Sequence, residues 1–229
     1  MISLQDAELR YPFTRSLTFK IIVLNAIVWV LQLVFYPLIN DFFALRPSLA
    51  FSGYFYQFLT YMFLHATYSQ TIQGLMIYPY HIAINMLIFA IFGFPLEQTL
   101  GKRKFVIVYL LSGIGSALFY IALMIGMMGI FETSLIGASG AVFGVLAAYA
   151  FKYPKTWVYF LGFVPMPAAA MIIFFLIEET FFGIMGLDPG VANFGHVGGI
   201  ITGLLIMSFW KLKERERGFR DRDFEFIWE

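Results

Sequence analysis

Cysteine is absent from this chain of 229 residues, and charge is scarce, with Asp, Glu, Lys and Arg together making up 13%. Without cysteine there are no disulfides, no thiolate metal sites and no cysteine nucleophile. Ordinary soluble domains carry about a quarter charged residues, so 13% charged with 60% hydrophobic excludes that class. The formal net charge of +1 gives no sign of a nucleic-acid partner. No internal repeat or low-complexity tract is visible, which weighs against transporters built from duplicated halves. Histidine is sparse too, occurring only as His65, His81 and His196.

What the chain does have is long uncharged runs, most of them near the 20 residues a helix needs to cross hydrocarbon. They predict spans at 18–38, 78–95, 104–128, 136–152, 157–183 and 192–211 in an all-α, polytopic membrane protein, a compact six-helix bundle. The first run follows a polar start and lacks a small-residue cleavage site, so it is read as a span and not a signal peptide. Orientation follows Lys and Arg in the short loops. With the amino terminus inside, Arg10, Arg15, Lys20, the cluster Lys102, Arg103 and Lys104, Lys152, Lys155 and the bases from Lys211 onward are cytoplasmic, leaving only Arg46 outside. Both termini are then cytoplasmic, and the second, fourth and sixth spans begin at the external face. Residues 211–229 form a charged tail of alternating sign, read as a solvated helical extension or as disorder.

Residues 38–76 make too long a connection for a turn and too aromatic a one for a solvated linker. Their short amphipathic pieces, with Tyr54, Tyr56, Tyr61 and Phe63, predict an external loop partly embedded in the membrane. The fourth run is short in the opposite sense. From Gly137 to Phe151 it covers about 22 Å at ~1.5 Å per residue, against a hydrocarbon core of about 30 Å. Its amino end therefore starts below the surface, in a recess lined by irregular backbone. Ser139, between Gly137 and Gly140, sits in its first turn.

His81 and Asn85 are four apart and share one face of the second span, while His196 lies just inside the sixth. With Ser139 they fall at one depth, about 5 to 12 Å below the outer boundary by helical rise. Gly140 and Gly144 form a small-xxx-small pair on the fourth helix, and Gly195, Gly199 and Gly203 form a longer stripe on the sixth. If the stripes face each other, His196 and Ser139 stand at the same end of one seam, where a neutral imidazole takes the proton of an unactivated serine. The Ser139 N–H at a helix start, the Asn85 amide and the His81 ring are suitable oxyanion donors. The residues by themselves leave three readings open: catalysis, ion or proton transport, and polar structural glue. Glu97 ends the second span and reads as structural, accepting from backbone N–H groups of the next loop. Glu178 and Glu179 fall about 32 Å along a helix begun near Trp157, hence at the external interface, where they read as solvated, with an influence on entry to the site as the alternative.

At this point the chain resembles the rhomboid intramembrane serine proteases. Phe63-Leu64-His65-Ala66, His81-x-x-x-Asn85, Phe92-Gly93, Leu96-Glu97 with Gly101, and Tyr109-Leu110 with Gly113 match that family in order. Gly137-Ala138-Ser139-Gly140 with Gly144 resembles its nucleophile motif, and His196-x-x-Gly199-x-x-x-Gly203 its base motif. The resemblance implies a membrane domain over 1–210 and a Ser139–His196 dyad without a third, acidic member. It implies His81, Asn85 and the Ser139 N–H at the oxyanion, and helix packing near the site through Gly137, Gly140, Gly144, Gly199 and Gly203. It also implies a gate and cap over 157–182 and 183–192, the latter with the turn signal Asp188-Pro189-Gly190, and Asn193 as the amino cap of the sixth helix. No metal or cofactor is implied, and the partners are the lipid bilayer and transmembrane protein substrates. The alternative is a non-catalytic rhomboid-like protein that binds transmembrane clients. A prokaryotic plasma membrane is the expected location.

The chain departs from the family pattern in three places. Residues 67–80 are an insert between His65 and His81, which usually stand about five apart, so the external surface is altered and His65 has no assigned role. Tyr56-Gln57 stands where a Trp-Arg pair is common. Phe143 replaces a tyrosine found in some members and can pack under the histidine ring.

Overall fold

The computed structural model describes residues 9–71, 74–129, 133–160, 162–186 and 192–225. After a 3₁₀ turn at Phe13–Arg15, α1 spans Leu17–Val34. Three short helices follow, α2 Leu38–Phe43, α3 Pro47–Phe51 and α4 Gln57–Thr60, the last continuing into a 3₁₀ turn at Tyr61–Phe63. Strands β1 Tyr68–Thr71 and β2 Gly74–Ile77 pair antiparallel before α5 Tyr80–Leu100, α6 Lys102–Met128 and α7 Ser139–Lys152. A second antiparallel hairpin, β3 Trp157–Phe160 with β4 Val164–Pro167, precedes α8 Ala168–Met185 and α9 Asn193–Glu225.

Five of these helices, α1, α5, α6, α8 and α9, are long and apolar enough to cross a membrane. The remaining expected span, the fourth in chain order, falls on the shorter α7. A mostly helical, polytopic arrangement is therefore present, with two corrections to the all-α expectation. Both hairpins were unforeseen, and the expected span at 157–183 begins only at Ala168. Gly162, Pro165 and Pro167 explain the second difference, since proline removes a helix N–H and collides with the preceding turn. The first hairpin is the insert at 67–80, folded out and closed at its base by Tyr78 N–H donating to the Thr67 carbonyl over 2.8 Å. The cap expected at 183–192, including Asp188-Pro189-Gly190, lies largely outside the described residues. The tail continues α9 without a break to Glu225.

Sidedness within the helices is that of a protein in lipid. On α1 the buried residues are Thr18, Asn25 and Gln32, whereas Leu24, Ile27, Val30 and Val34 are exposed. Polar groups turn inward because hydrocarbon gives them no partner. The start of α1 is satisfied by a side chain from another helix. Glu97, fully buried near the end of α5, accepts from Leu17 N–H at 2.8 Å and from Thr18 N–H at 2.9 Å, and Ser16 Oγ accepts from Phe19 N–H at 3.0 Å. Tyr11 and Thr18 hydroxyls also donate to that carboxylate. A negative group thus meets the positive end of a helix dipole and pairs N–H groups that have no partner within the helix. Glu97 is structural as expected, but it serves the start of α1 and not the loop that follows it.

The centre is α7, small on every side. Gly140, Ala141, Val142, Gly144, Val145, Leu146, Ala147, Ala148 and Ala150 are buried among α5, α6, α8 and α9. Gly199 of α9 lies against the Gly140 carbonyl, and Gly203 against the Gly144 carbonyl, leaving no room for a Cβ at either. On the α6 side Ser116 and Ser112 fill the space beside Gly140 and Gly144. The two glycine stripes therefore do face each other, backbone to backbone.

Candidate active site

That seam fixes the site at one end of the bundle, where α5, α7 and α9 all begin. Ser139 is the first residue of α7. The chain reaches it through Gly137, whose φ of +124° suits glycine alone, with Gly137 N–H held by the Tyr61 carbonyl at 3.0 Å. Tyr61 is in turn fixed by its hydroxyl donating to the Gly113 carbonyl at 2.7 Å. Leu135 and Leu45 exchange backbone hydrogen bonds at 2.9 and 3.0 Å, so the loop after α1 braces the approach to Ser139. Being at a helix start, the Ser139 N–H has no acceptor within the helix.

One turn into α9, His196 places Nε2 2.8 Å from Ser139 Oγ. Its ring stacks on Phe143, with centroids 4.5 Å apart and planes 25° from parallel, and Phe143 is held edge-on by Phe175 of α8. The nucleophile helix thus supplies both the hydroxyl and the surface that flattens the imidazole.

The remaining expected residues come from the start of α5. His81 Nδ1 accepts from Ala66 N–H at 3.0 Å, which leaves the proton on Nε2. That side of the ring adjoins Gly137 so closely that a Cβ there would lie 3.3 Å from Nε2. Asn85 Nδ2 donates to the His81 carbonyl at 2.8 Å, one of its two amide hydrogens. Ser139, His196, His81 and Asn85 line one cavity of about 820 Å³, together with Phe143 and Tyr78 among others. All four predicted polar residues are therefore brought together, and Gly137, Gly140, Gly144, Gly199 and Gly203 all lie at or along the seam that does so.

His65, left without a role by the sequence, stands behind the cavity. It is fully buried, with its ring edge-on to His81 at 5.1 Å between centroids. Its backbone is clamped by Gln32 of α1, whose Oε1 accepts from His65 N–H at 2.9 Å and whose Nε2 donates to the His65 carbonyl at 3.1 Å. Trp29 Nε1 donates to the next carbonyl, that of Ala66, at 3.2 Å. A chain of contacts therefore runs from α1 through residues 65–66 to the tautomer of His81. Burial, with the neighbouring His81 second, pushes the His65 pKa down to about 3.

One residue at the site contradicts the sequence expectation. Glu179, expected solvated at a helix end, is buried with 6% exposure, and its Oε1 lies 2.8 Å from His196 Nδ1. Its other oxygen accepts from Asn193 Nδ2 at 2.8 Å. The difference follows from where the helix starts. Counted from Ala168, Glu179 is about 17 Å along α8, within the bundle, at ~1.5 Å per residue. The prolines at 165 and 167 were the signal that located it. Asn193 is the first residue of α9 and not its amino cap, because Ala192 supplies the carbonyl that accepts from His196 N–H at 3.1 Å and the Asn193 amide is directed to Glu179 instead.

The family model described as Rhomboid domain matches residues 52–212. The chain belongs to the rhomboid family. Among its rhomboid relatives, the Rhomboid protease AarA of Providencia stuartii is 28% identical over 219 residues, covering 83% of this chain and 71% of that protein. RHOMBOID-like protein 6, mitochondrial, of Arabidopsis thaliana is 28% identical over 166 residues, 72% of this chain and 47% of the relative. Rhomboid-type serine protease 2 of Emericella nidulans is 31% identical over 151 residues, 66% and 26% respectively. The chain thus spans under half the length of the plant and fungal relatives named here. Rhomboid membership, with helices fit to cross a membrane, makes this an integral membrane protein of a family that includes serine proteases.

Proposed function

We propose that the chain is an intramembrane serine endopeptidase that cleaves transmembrane segments of other proteins with Ser139 as nucleophile and His196 as base. The observation that carries this reading is the 2.8 Å contact between Ser139 Oγ and His196 Nε2 at the mouth of a buried helix, in a cavity shared with His81 and Asn85. Ser139 Oγ attacks the substrate carbonyl carbon while its proton passes to Nε2. The oxyanion so formed accepts from Ser139 N–H, His81 Nε2–H and the second amide hydrogen of Asn85. The imidazolium returns the proton to the leaving amine as the C–N bond breaks. Water then adds to the acyl-serine with the same histidine as base, releasing the new carboxylate and restoring the hydroxyl.

In this reading α7 is the fourth of six spans, which its 14 residues complete only because its amino end lies within the membrane. The loop over 38–76 is partly embedded, the domain ends near 210, both termini are cytoplasmic and the cavity opens outside. The relatives come from a bacterium, a plant and a fungus, and the plant one is named mitochondrial, so family membership does not single out a prokaryotic plasma membrane. The test is labelling of the detergent-purified chain with a fluorophosphonate, alongside cleavage of a model transmembrane substrate. Ser139→Ala and His196→Ala are each expected to abolish both while folding normally. Undiminished cleavage by the Ser139→Ala protein would sink the assignment, and binding of transmembrane clients with neither labelling nor product would mark a non-catalytic binder.

A further inference from the structure

We propose that Glu179 is a positioning residue for His196, so that the base is held by an acidic partner and the site is a Ser139–His196–Glu179 triad. The inference rests on the protease reading above and goes beyond it. An ionised carboxylate only accepts hydrogen bonds, so Glu179 Oε1 at 2.8 Å from Nδ1 requires the proton on Nδ1. The Nε2 lone pair is then the one that faces Ser139 Oγ, also at 2.8 Å. Phe143 controls the plane of the imidazole by stacking, but a phenyl ring cannot select between its nitrogens.

The carboxylate is itself built in. Asn193, three residues before His196 on the first turn of α9, donates to Oε2 at 2.8 Å, so both oxygens are engaged by the helix that carries the base. The close approach of α8 and α9 that permits this occurs at Gly183, where a Cβ would lie 2.9 Å from the Phe194 ring. A carboxylate in a membrane bundle is costly unless paired, which gives the bland alternative: Glu179 is merely satisfied by α9. The two readings separate on the electronic state of His196. When Ser139 transfers its proton to Nε2, the imidazolium lies between the developing oxyanion and a fixed negative charge. The charge therefore favours the transition state over the ground state, which a purely structural ion pair does not do. No proton need pass to Glu179. The Nδ1 proton stays on the ring throughout, and only the Ser139 proton moves.

Glu179→Gln keeps the size of the side chain and a carbonyl oxygen for Nδ1–H while removing the charge. In the full-length, detergent-purified protein we expect the rate of Ser139 labelling by a fluorophosphonate, and kcat on a model transmembrane substrate, to fall by about a hundredfold. KM and the thermal midpoint should stay close to wild type. A Glu179→Gln rate within about threefold of wild type, with normal dependence on Ser139, overturns the assignment of Glu179 and leaves the protease reading standing. Should that variant fail to fold, ¹⁵N NMR of the histidine-labelled wild-type chain decides instead. The Nδ1-protonated form of His196 is expected, and the Nε2-protonated form overturns the proposal. That measurement needs no turnover, so loss of Ser139-dependent labelling in the wild type, which would defeat the protease reading, is distinguished from failure of the Glu179 contact.

Discussion

Gly199 of α9 rests directly on the carbonyl of Gly140 of α7, and one turn further along Gly203 rests on that of Gly144. This contact, and not the polar residues themselves, sets the distance between Ser139 and His196, which lie one and three residues before the first pair. Backbone on both sides of the contact leaves nothing able to rotate away from an added methyl group.

Gly199→Ala should therefore separate α7 from α9, at a cost of about 1–3 kcal/mol or more from overpacking. Thermal unfolding in detergent is expected to show the loss, and fluorophosphonate labelling of Ser139 should fall with it because His196 moves off the hydroxyl. Gly126→Ala on α6, where an added Cβ meets nothing within 4 Å, is the matched control and should leave both unchanged.

Such a seam is readable from sequence because glycines four apart on two helices leave few other arrangements, and helical rise alone set Ser139, His81, Asn85 and His196 at one depth. Glu179 escaped the same counting because its depth depended on where α8 starts. A run of apolar residues from Trp157 onward satisfies a hydropathy count whether it is helix or hairpin, and only Pro165 and Pro167 distinguish the two. The insert at 67–80 was visible as extra length but not as a hairpin. Its effect is conservative: the pairing of β1 with β2 and the Tyr78–Thr67 hydrogen bond return the chain beside its point of departure, so Ala66 still reaches His81. The Gln32 clamp on residue 65 joins elements 33 residues apart and carries no local pattern.

The tautomer of His81 depends on that clamp. His81→Ala removes a proposed oxyanion donor and should lower kcat by about 10²–10³-fold with little change in KM. Gln32→Leu leaves His81 in place but frees the backbone of residues 65–66, so it should lower both the thermal midpoint and kcat, the latter by less than His81→Ala. Steady-state kinetics on a model transmembrane substrate, with unfolding curves on the same preparations, would separate the two. Equal kinetic loss without destabilisation in Gln32→Leu would contradict the indirect role.

Glu97 is remote from the cavity and should report on stability alone. Glu97→Ala strips acceptors from the N–H groups of Leu17 and Thr18, the latter buried, and from two hydroxyls. The expected loss is about 2–4 kcal/mol, with Glu97→Gln losing less because one acceptor remains. Denaturant titration would measure it. The labelling rate of the folded fraction should be that of the wild type, since the cavity lies at the opposite end of α5.

Acid should weaken the fold through His65. The ring takes up a proton near 6.5 in the unfolded chain, but in the folded protein only at about 3, because burial and the neighbouring His81 oppose the charge. The unfolded state therefore binds more protons throughout that window. The stabilisation is complete above 6.5 and drains away as pH falls toward 3. At pH 5 the loss from this one group is about 2 kcal/mol, taking about 1.4 kcal/mol for each pH unit below 6.5. Unfolding midpoints at pH 7 and pH 5 should differ for the wild type and differ less for His65→Gln, whose amide does not titrate. An undiminished difference in that variant would place the acid sensitivity elsewhere, with His81 the first group to examine.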